Sequence, residues 1–414
     1  MTIDFDRILK AAEEGLPDLG RFLRDIIAIP SPSSQEGPVI ERIGAEMERL
    51  GFDRVETDPM GNLLGTIGSG KHLIAIDGHV DTVDVGDPGQ WEFDPFKGYE
   101  DDETIGGRGA SDQKGGVAAM VHAGGLIKRL GLEDDYTLVV TATVQEEDCD
   151  GLCWDYLVKE RGLRPEFVVI TEPTNGNICR GHRGRLEAKI TTQGISAHGS
   201  APERGVNAIY KMAPIINELE QLNNTLAPQD TLGKGSLTVS EVFTRSPSRC
   251  AVADGCTVSV DRRLTSGETA ESTLAEIREL PAARKAEAQV ELYKYAQPSY
   301  KGLTYPGDAY FPTWLIAEDH PATQTLVAAH RGLLGRETEV THWVFSTNAV
   351  SIMGRYNIPA VGFGPGREDQ AHAPNEHTWK QDLVTAAALY AALPLLYVKE
   401  FAGSMPKTTP NLAG

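Results

Sequence analysis

The stretch Tyr136-Thr-Leu-Val-Val-Thr-Ala-Thr-Val144 is almost entirely apolar or β-branched, and it leads directly into Gln145-Glu146-Glu147-Asp148. Such a run is typical of a strand buried on both faces, as in the middle of a parallel sheet. Shorter runs of the same kind begin at Leu63, Leu73, Phe167 and Ala360. Segments with helical spacing of apolar residues separate them, so we expect an α/β fold, a mixed sheet with helices on both faces.

The helical segments surround a central region of different texture. Helices are predicted at 5–27, 38–50, 115–129, 320–334 and 379–401. From Gly184 an alternating strand is followed by a helix, two strands, a helix and a strand that ends at Tyr295. The order β-α-β-β-α-β is typical of a ferredoxin-like α+β sandwich. We therefore expect one domain formed by residues 1–183 and 300–414, with an inserted domain at 184–299.

The composition of the chain limits which binding partners and which cellular compartment we expect. The chain has 414 residues and a formal net charge of −20, and no basic run interrupts the acidity. Nucleic acid and anionic membrane surfaces are therefore excluded as expected partners. We find neither a basic, apolar leader nor an apolar stretch that approaches a membrane span. Five thinly spread cysteines fit a reducing compartment, so we expect a cytoplasmic protein.

A histidine and an aspartate follow the apolar run that begins at Leu73, in the sequence Asp77-Gly-His79-Val-Asp81. A histidine at a strand end can bind a metal ion, and a nearby carboxylate can accept its second ring N–H and fix the tautomer. A lone pair of this kind is common, and it would fit a polar surface loop equally well.

A glycine-dense loop, Gly106-Gly-Arg-Gly-Ala-Ser-Asp112-Gln-Lys-Gly-Gly116, carries the next acid. Glycines let backbone approach a small bound group closely. They would also fit a phosphate cradle, but Gly-Lys-Ser/Thr and Gly-x-Gly-x-x-Gly are both missing from this loop. The sequence therefore favours Asp112 as a ligand over a nucleotide site.

Three further segments carry acids or a histidine after a predicted strand: Glu146-Glu147-Asp148, Glu172-Pro173 and Ala371-His372. Adjacent acids repel each other unless a cation or solvent separates them, so a solvated charge run is the alternative interpretation. The carboxyl ends of buried strands are where open α/β sheets bind ligands. Mixed histidine and carboxylate donors suit Zn²⁺, Mn²⁺ or Co²⁺, and one carboxylate beyond the ligands could serve as a general base.

The ordered set of motifs resembles a known family over nearly the whole chain. The motifs are His79-Val-Asp81, Gly109-Ala-Ser-Asp112, Glu146-Glu147, Glu172-Pro173 and His372-Ala-Pro-Asn-Glu376. They are similar to those of the dizinc aminoacylase/carboxypeptidase family, the M20-type metallopeptidases, which includes acetylornithine deacetylase, succinyl-diaminopimelate desuccinylase and glutamate carboxypeptidase. Within it, the chain resembles a bacterial group of peptidases and selenium-metabolism hydrolases.

The resemblance implies two divalent metal ions, zinc with cobalt or manganese as alternatives. One ion would be held by His79, Asp112 and Glu172, and the other by Glu147, His372 and the same Asp112. Asp81 would orient His79. Glu146 would take a proton from the attacking water and return it to the leaving amine. The peptide bond after the shared Asp112 would be cis.

The inserted domain would be a lid and dimerisation domain in this family. The resemblance implies a homodimer in which His198 reaches the partner's site and stabilises the oxyanion, with Asn207 and Arg263 contacting substrate. The alternatives are a loop-capping role for His198 and an ion pair between Arg263 and Asp261. Relatives often carry Asn-Val-Val-Pro before the strand of Arg263, whereas this chain has neither that Asn nor that Pro within 249–254.

The resemblance implies hydrolysis of an amide bond in a small-molecule substrate, an N-acyl amino acid or dipeptide with a free carboxylate. In the family, a glutamate at the position of Glu172 tends to accompany release of an amino acid with a free carboxylate. Two alternatives stay open: hydrolysis of another C–N bond, as in a carbamoyl or amidino compound, and a non-catalytic scaffold of the same fold.

Overall fold

The computed structural model describes residues 3–229 and 231–405. Its α-helices are α1 (Phe5–Ile27), α2 (Gly37–Arg49), α3 (Lys114–Leu130), α4 (Leu152–Lys159), α5 (Ala208–Thr225), α6 (Ala270–Arg278), α7 (Pro281–Ala286), α8 (Pro321–Leu334), α9 (Ala349–Ile352) and α10 (Lys380–Leu396). The strands before the predicted insertion are β1 (Arg54–Thr57), β2 (Leu63–Ile67), β3 (His72–His79), β4 (Tyr99–Glu100), β5 (Thr104–Gly106), β6 (Tyr136–Thr143), β7 (Phe167–Ile170) and β8 (Ile178–His182).

The remaining strands run from the insertion to the end of the chain. They are β9 (Gly184–Gln193), β10 (Pro228–Gln229), β11 (Gly233–Lys234), β12 (Ser236–Arg245), β13 (Gly255–Leu264), β14 (Gln289–Leu292), β15 (Lys294–Tyr295), β16 (Gly307–Asp308), β17 (Tyr310–Phe311), β18 (Trp314–Leu315), β19 (Val340–Trp343), β20 (Ala360–Gly362) and β21 (His377–Trp379).

A nine-stranded mixed sheet forms the larger layer. Its order is β1-β2-β6-β3-β7-β20-β8-β18, and β19 pairs with β8. The neighbours β6, β3, β7 and β20 are parallel, and their side chains are almost all buried, as the apolar runs predicted. The α/β class is confirmed. Because parallel strands end at one edge, the residues that follow β3, β6 and β7 meet there.

Helix α10 and the turns that follow it, Lys380–Ser404, are long and apolar enough to cross a membrane. The sequence-based expectation that no such stretch exists was therefore wrong. Within the fold 72% of the apolar window is buried, and α10 packs against α1, α3 and α8. The segment is the central core helix of the larger layer.

The sheet of the central region has the order β12-β13-β9-β14, and all its strands are antiparallel. Helices α5, α6 and α7 pack on it around a separate apolar cluster that includes Leu186, Ile190, Met212 and Val258. This arrangement confirms the predicted ferredoxin-like unit. One pairing crosses the boundary expected at residue 299, because β17 pairs with the first residues of β9, next to the part of β9 that pairs with β14.

The short strands differ most from expectation. The strand predicted at 290–295 divides into β14 and β15, and β15 pairs with β16 rather than with the inserted sheet. Strands β8, β18 and β19 were not predicted at all. They have two to five residues, too few for an alternating pattern to stand out.

Candidate metal centre

His79 is the last residue of β3, and it lies among three carboxylates. Its Nε2 atom is 3.1 Å from Asp112 Oδ1, 3.5 Å from Glu172 Oε1 and 3.8 Å from Glu146 Oε2. Glu146 follows β6 and Glu172 follows β7, so neighbouring parallel strands bring these groups together. The imidazole and all three carboxylates are buried.

A second group of donors lies beside the first. His372, in a left-handed backbone conformation, places Nε2 3.0 Å from Glu147 Oε2 and 3.3 Å from Asp112 Oδ2. The two oxygens of Asp112 thus face different imidazoles, Oδ1 toward His79 and Oδ2 toward His372. A carboxylate in this position can be shared by two bound cations.

Glu376 fixes the loop that carries Asp112. Its buried carboxylate accepts the backbone N–H groups of Gly109, Ser111 and Asp112 at 2.8–2.9 Å, and Arg108 Nη1 donates to it at 2.8 Å. The Asp112–Gln113 peptide bond is cis. Because Glu376 lies four residues after His372, it ties the loops of both ligands together.

Asp81 has a different local role from the one expected. The Nδ1 atom of His79 is 2.8 Å from the backbone carbonyl of Asp81, whereas the Asp81 carboxylate lies 3.6 Å away. That carboxylate instead accepts Ser33 Oγ–H and the backbone N–H groups of Glu146 and Glu147. Asp81 therefore orients His79 through its main chain, and it holds the two glutamates through its side chain.

Burial and crowding of charge shape the electrostatics. Burial, with the charge of Asp112 added, raises the pKa of Glu147 to about 7 and that of Glu172 to about 8. Burial likewise raises the pKa of Glu146 well above its ordinary value. The hydrogen bonds of His372 to Asp112 and Glu147 raise the pKa of His372 to about 10. Because carboxylates bind a cation in the deprotonated form, binding of a cation would favour loss of protons from this cluster.

The donor set fits two divalent cations. Two overlapping triads that share His79 have ligand atoms within 4.8 Å of one another, His79 with Asp112 and Glu147, and His79 with Glu146 and Glu172. Because the free nitrogen of one imidazole binds a single cation, a second cation needs the donors around His372, namely Glu147 and Asp112. Two imidazoles and several carboxylates, with no thiolate, suit a borderline metal such as zinc. Glu146 Oε1 is buried without a hydrogen-bond partner in the described part of the chain, so this carboxylate has an oxygen available for a ligand or substrate.

The three residues expected to act from the inserted region lie outside this cluster in the single chain. His198 is exposed, and its Nδ1 accepts hydrogen bonds from Ser200. Asn207 caps the N-terminus of α5. Arg263 donates to Asp261 at 2.8 and 3.2 Å, which is the ion pair considered as its alternative role.

Several residues around the site were missed by the sequence reasoning. Glu36 is fully buried, and its Oε1 accepts the N–H groups of Ser34 and Gln145. Gln145, with a φ of 59°, directs its side chain to Ser34 and Tyr295. The contacts of Gln145 with Glu36, Ser34 and Tyr295 join residues 109 to 150 positions apart, so no local pattern could have signalled them.

Comparison with known proteins agrees with this geometry. The chain is 60% identical over 397 residues to the uncharacterized protein YgeY of Escherichia coli K12, covering 96% of this chain and 98% of that one. It is 30% identical to acetylornithine deacetylase of Erwinia tasmaniensis, covering 87% and 93%. The fold matches the Bacillus subtilis YXEP protein, a dinuclear metal binding peptidase, with a TM-score of 0.68 at 16% identity, covering 94% and 99%.

Residues 75–395 match Peptidase family M20/M25/M40, and this range includes every residue of both donor groups. The chain is thus a metal-dependent hydrolase, and it belongs to the M20 peptidase family.

Proposed function

We propose that this chain hydrolyses the amide bond of a small N-acyl amino acid or dipeptide that carries a free carboxylate. The observation that carries the proposal is the position of Asp112, whose two oxygens face His79 and His372 separately. Such an arrangement is suited to two metal ions, which we propose to be zinc. His79, Asp112 and Glu172 would hold one ion, and Glu147, His372 and Asp112 the other.

When bound, two such ions would lower the pKa of a water and polarise the scissile carbonyl. The chain itself supplies the proton transfer. Glu146 is buried, its Oε2 lies 3.8 Å from His79 Nε2, and its Oε1 is free of protein partners within the described ranges. We propose that it takes a proton from the attacking water and later gives it to the leaving nitrogen.

Substrate class is supported by the relatives and by the residue at position 172. The 30% identical relative is an acetylornithine deacetylase, whose name describes removal of an acetyl group from an amino acid. In the family, a glutamate at the position of Glu172 tends to accompany release of an amino acid with a free carboxylate, and this chain has that glutamate. The guanidinium of Arg263 could bind that carboxylate through two parallel hydrogen bonds. To do so, it would have to break its ion pair with Asp261.

The test is a substrate panel with matched amides. N-acetyl, N-succinyl and N-carbamoyl amino acids and dipeptides would be incubated with enzyme loaded with Zn²⁺, Mn²⁺ or Co²⁺. We expect turnover of N-acyl amino acids, with kcat/KM lower by about one to three orders of magnitude when the substrate carboxylate is amidated. Preference for N-carbamoyl compounds would instead support hydrolysis of another C–N bond. Activity equal on acid and amide would refute the carboxylate assignment.

We also propose that the chain forms a homodimer through the inserted region, with His198 acting in the partner's site. In support, exposed apolar side chains gather at one end of that region: Ile195, Val206, Ile209, Tyr210, Val242 and Phe243. The pairing of β12, β13 and β9 brings the ends that carry Val242, Phe243 and Gln193 together. His198, which bridges to Ala251 in the β12–β13 connection, is exposed at the same end.

A hybrid experiment tests the role of His198. Chains with His198→Ala and chains with Glu146→Ala, each inactive alone, would be mixed under conditions that allow exchange. We expect partial recovery of activity, because one site of the hybrid receives both intact groups. Exchange without recovery would show that His198 does not act across an interface.

A further inference from the structure

Gln145 begins the acid loop, which we define as Gln145-Glu146-Glu147-Asp148, and it holds an unusual conformation. Its φ is 59°, in the left-handed region that glutamine rarely adopts, and the residue is almost fully buried. A conformation of this kind persists only where surrounding contacts enforce it. The contacts of Gln145 therefore help to decide where the next residue, Glu146, directs its carboxylate.

The side-chain amide of Gln145 joins two distant segments. Its Nε2 atom donates to Tyr295 Oη at 2.9 Å and to Ser34 Oγ at 3.0 Å, and the backbone carbonyl of Gln297 lies farther away, at 3.5 Å. The backbone N–H of Gln145 is held separately by Glu36, and those of Glu146 and Glu147 are held by Asp81.

Tyr295 comes from the return segment, residues 293–305, which leads from the inserted sheet back to the larger one. Its hydroxyl accepts from Gln145 and donates to Asp148 Oδ2 at 3.2 Å, so it contacts both ends of the acid loop. Ser34, Glu36 and Asp81 all precede the insertion in the chain. Tyr295 and the more distant carbonyl of Gln297 belong to the return segment, so the position of these two contacts depends on the placement of the inserted region.

We infer that Gln145 and Tyr295 are positioning residues for Glu146, and that their hydrogen bond couples the placement of the general base to the inserted region. The inference rests on the proposed function in that it takes Glu146 as the proton-transfer group. Within the described residues, neither side chain is hydrogen-bonded to a proposed metal ligand, and neither needs to bind substrate. Their loss should lower kcat while KM and metal content stay unchanged.

The return segment provides a matched control. Tyr300 lies five residues after Tyr295, and its hydroxyl donates to the backbone carbonyl of Gly61 at 3.1 Å, away from the acid loop. Tyr295→Phe and Tyr300→Phe each remove one hydroxyl that ties this segment to the larger layer. Only the first removes a contact to the acid loop.

We expect Tyr295→Phe to lower kcat about three- to thirtyfold on a substrate identified by the panel, roughly the value of one or two hydrogen bonds, and Tyr300→Phe to leave it unchanged. Gln145→Met should reproduce the loss. The double variant Gln145→Met/Tyr295→Phe should lose less than the product of the two single losses, because the residues act through one contact.

Hydrogen exchange separates this inference from the proposed function. In zinc-loaded protein, the backbone amides of 144–148 should exchange faster in Tyr295→Phe than in wild type, and at the wild-type rate in Tyr300→Phe. This readout needs no substrate, so it decides the coupling even if no compound of the panel is hydrolysed. Equal exchange and equal kcat in both variants, or an equal loss in both, would overturn the inference.

Discussion

At the scale of single residues, two adjacent glutamates have distinct surroundings. Glu147 lies 3.0 Å from His372 and accepts the N–H of Val83, whereas Glu146 keeps one oxygen without a protein partner. We predict that Glu146→Gln retains both metal ions and loses about 10²–10⁴-fold in kcat, the usual contribution of general acid–base catalysis. Glu147→Gln should lose metal. Elemental analysis and kinetics on both variants check this, and near-normal kcat in Glu146→Gln would contradict it.

Glu376 provides the second prediction at this scale. It accepts four hydrogen bonds while fully buried, and a glutamine cannot accept them all because its NH₂ group only donates. We expect Glu376→Gln to lower the free energy of unfolding by about 2–4 kcal/mol. Metal affinity should fall about 10–100-fold, as for other groups that orient ligands.

Urea unfolding and metal titration measure the two effects of Glu376→Gln. The exposed Glu103, which precedes the Asp112 loop in sequence, offers Glu103→Gln as a control for loss of one negative charge. A Glu376→Gln variant that matches this control in both measurements would show that the four bonds do not hold the loop of Asp112.

At the scale of elements, the convergence of strand ends makes the metal-free protein sensitive to pH. The raised pKa values, about 7 for Glu147, about 8 for Glu172 and about 10 for His372, exceed those of the unfolded chain. Between about pH 5 and pH 10 the folded state thus binds more protons than the unfolded state. The contribution of these groups to the free energy of unfolding is full at low pH and is lost as pH rises.

We therefore predict that metal-free protein loses stability between pH 6 and pH 9, and that stabilisation by added Zn²⁺ grows over the same range, since the ligands must lose protons to bind it. Urea unfolding with and without Zn²⁺ measures both trends. In Glu172→Gln, which lacks one of the titrating carboxyls, the decline of the metal-free protein should be shallower. An identical slope in this variant would contradict the assignment to the cluster.

The elements also show what a sequence can predict. Helix α1 begins and ends where its apolar spacing predicted, and β6 does so within one residue, because both are long and regular. The five residues that the strand-end pattern singled out lie close together, and their role as metal ligands stays a prediction: His79, Asp112, Glu147, Glu172 and His372. The pattern could not find Glu36 or Tyr295, because their contacts depend on tertiary packing over more than a hundred residues.

At the scale of the whole molecule, net charge and exposed apolar surface have opposite effects on self-association. A net charge of −20 opposes association of like chains at long range. Yet the exposed apolar side chains of the inserted region lie at one end, with Tyr210 78% and Phe243 53% exposed. Apolar patches of this kind on a soluble protein typically mark an interaction surface. Raising the ionic strength should therefore favour the proposed dimer, because it screens the repulsion.

Phe243 lies on β12, an edge strand of the inserted sheet. Edge strands can pair with a second copy through their outer backbone groups. If the proposed dimer forms, we predict that Phe243→Asp shifts it to monomer in light scattering after size exclusion, since burying an unpaired carboxylate at an apolar interface is costly. Val344→Asp adds the same charge at a side chain 63% exposed outside the inserted region, and it should stay dimeric.

If His198 serves the partner's site, the monomeric variant should also lose activity while its metal content stays normal. A Phe243→Asp protein that remains dimeric would exclude this edge from the interface, and a fully active monomer would confine His198 to a role in its own chain or none.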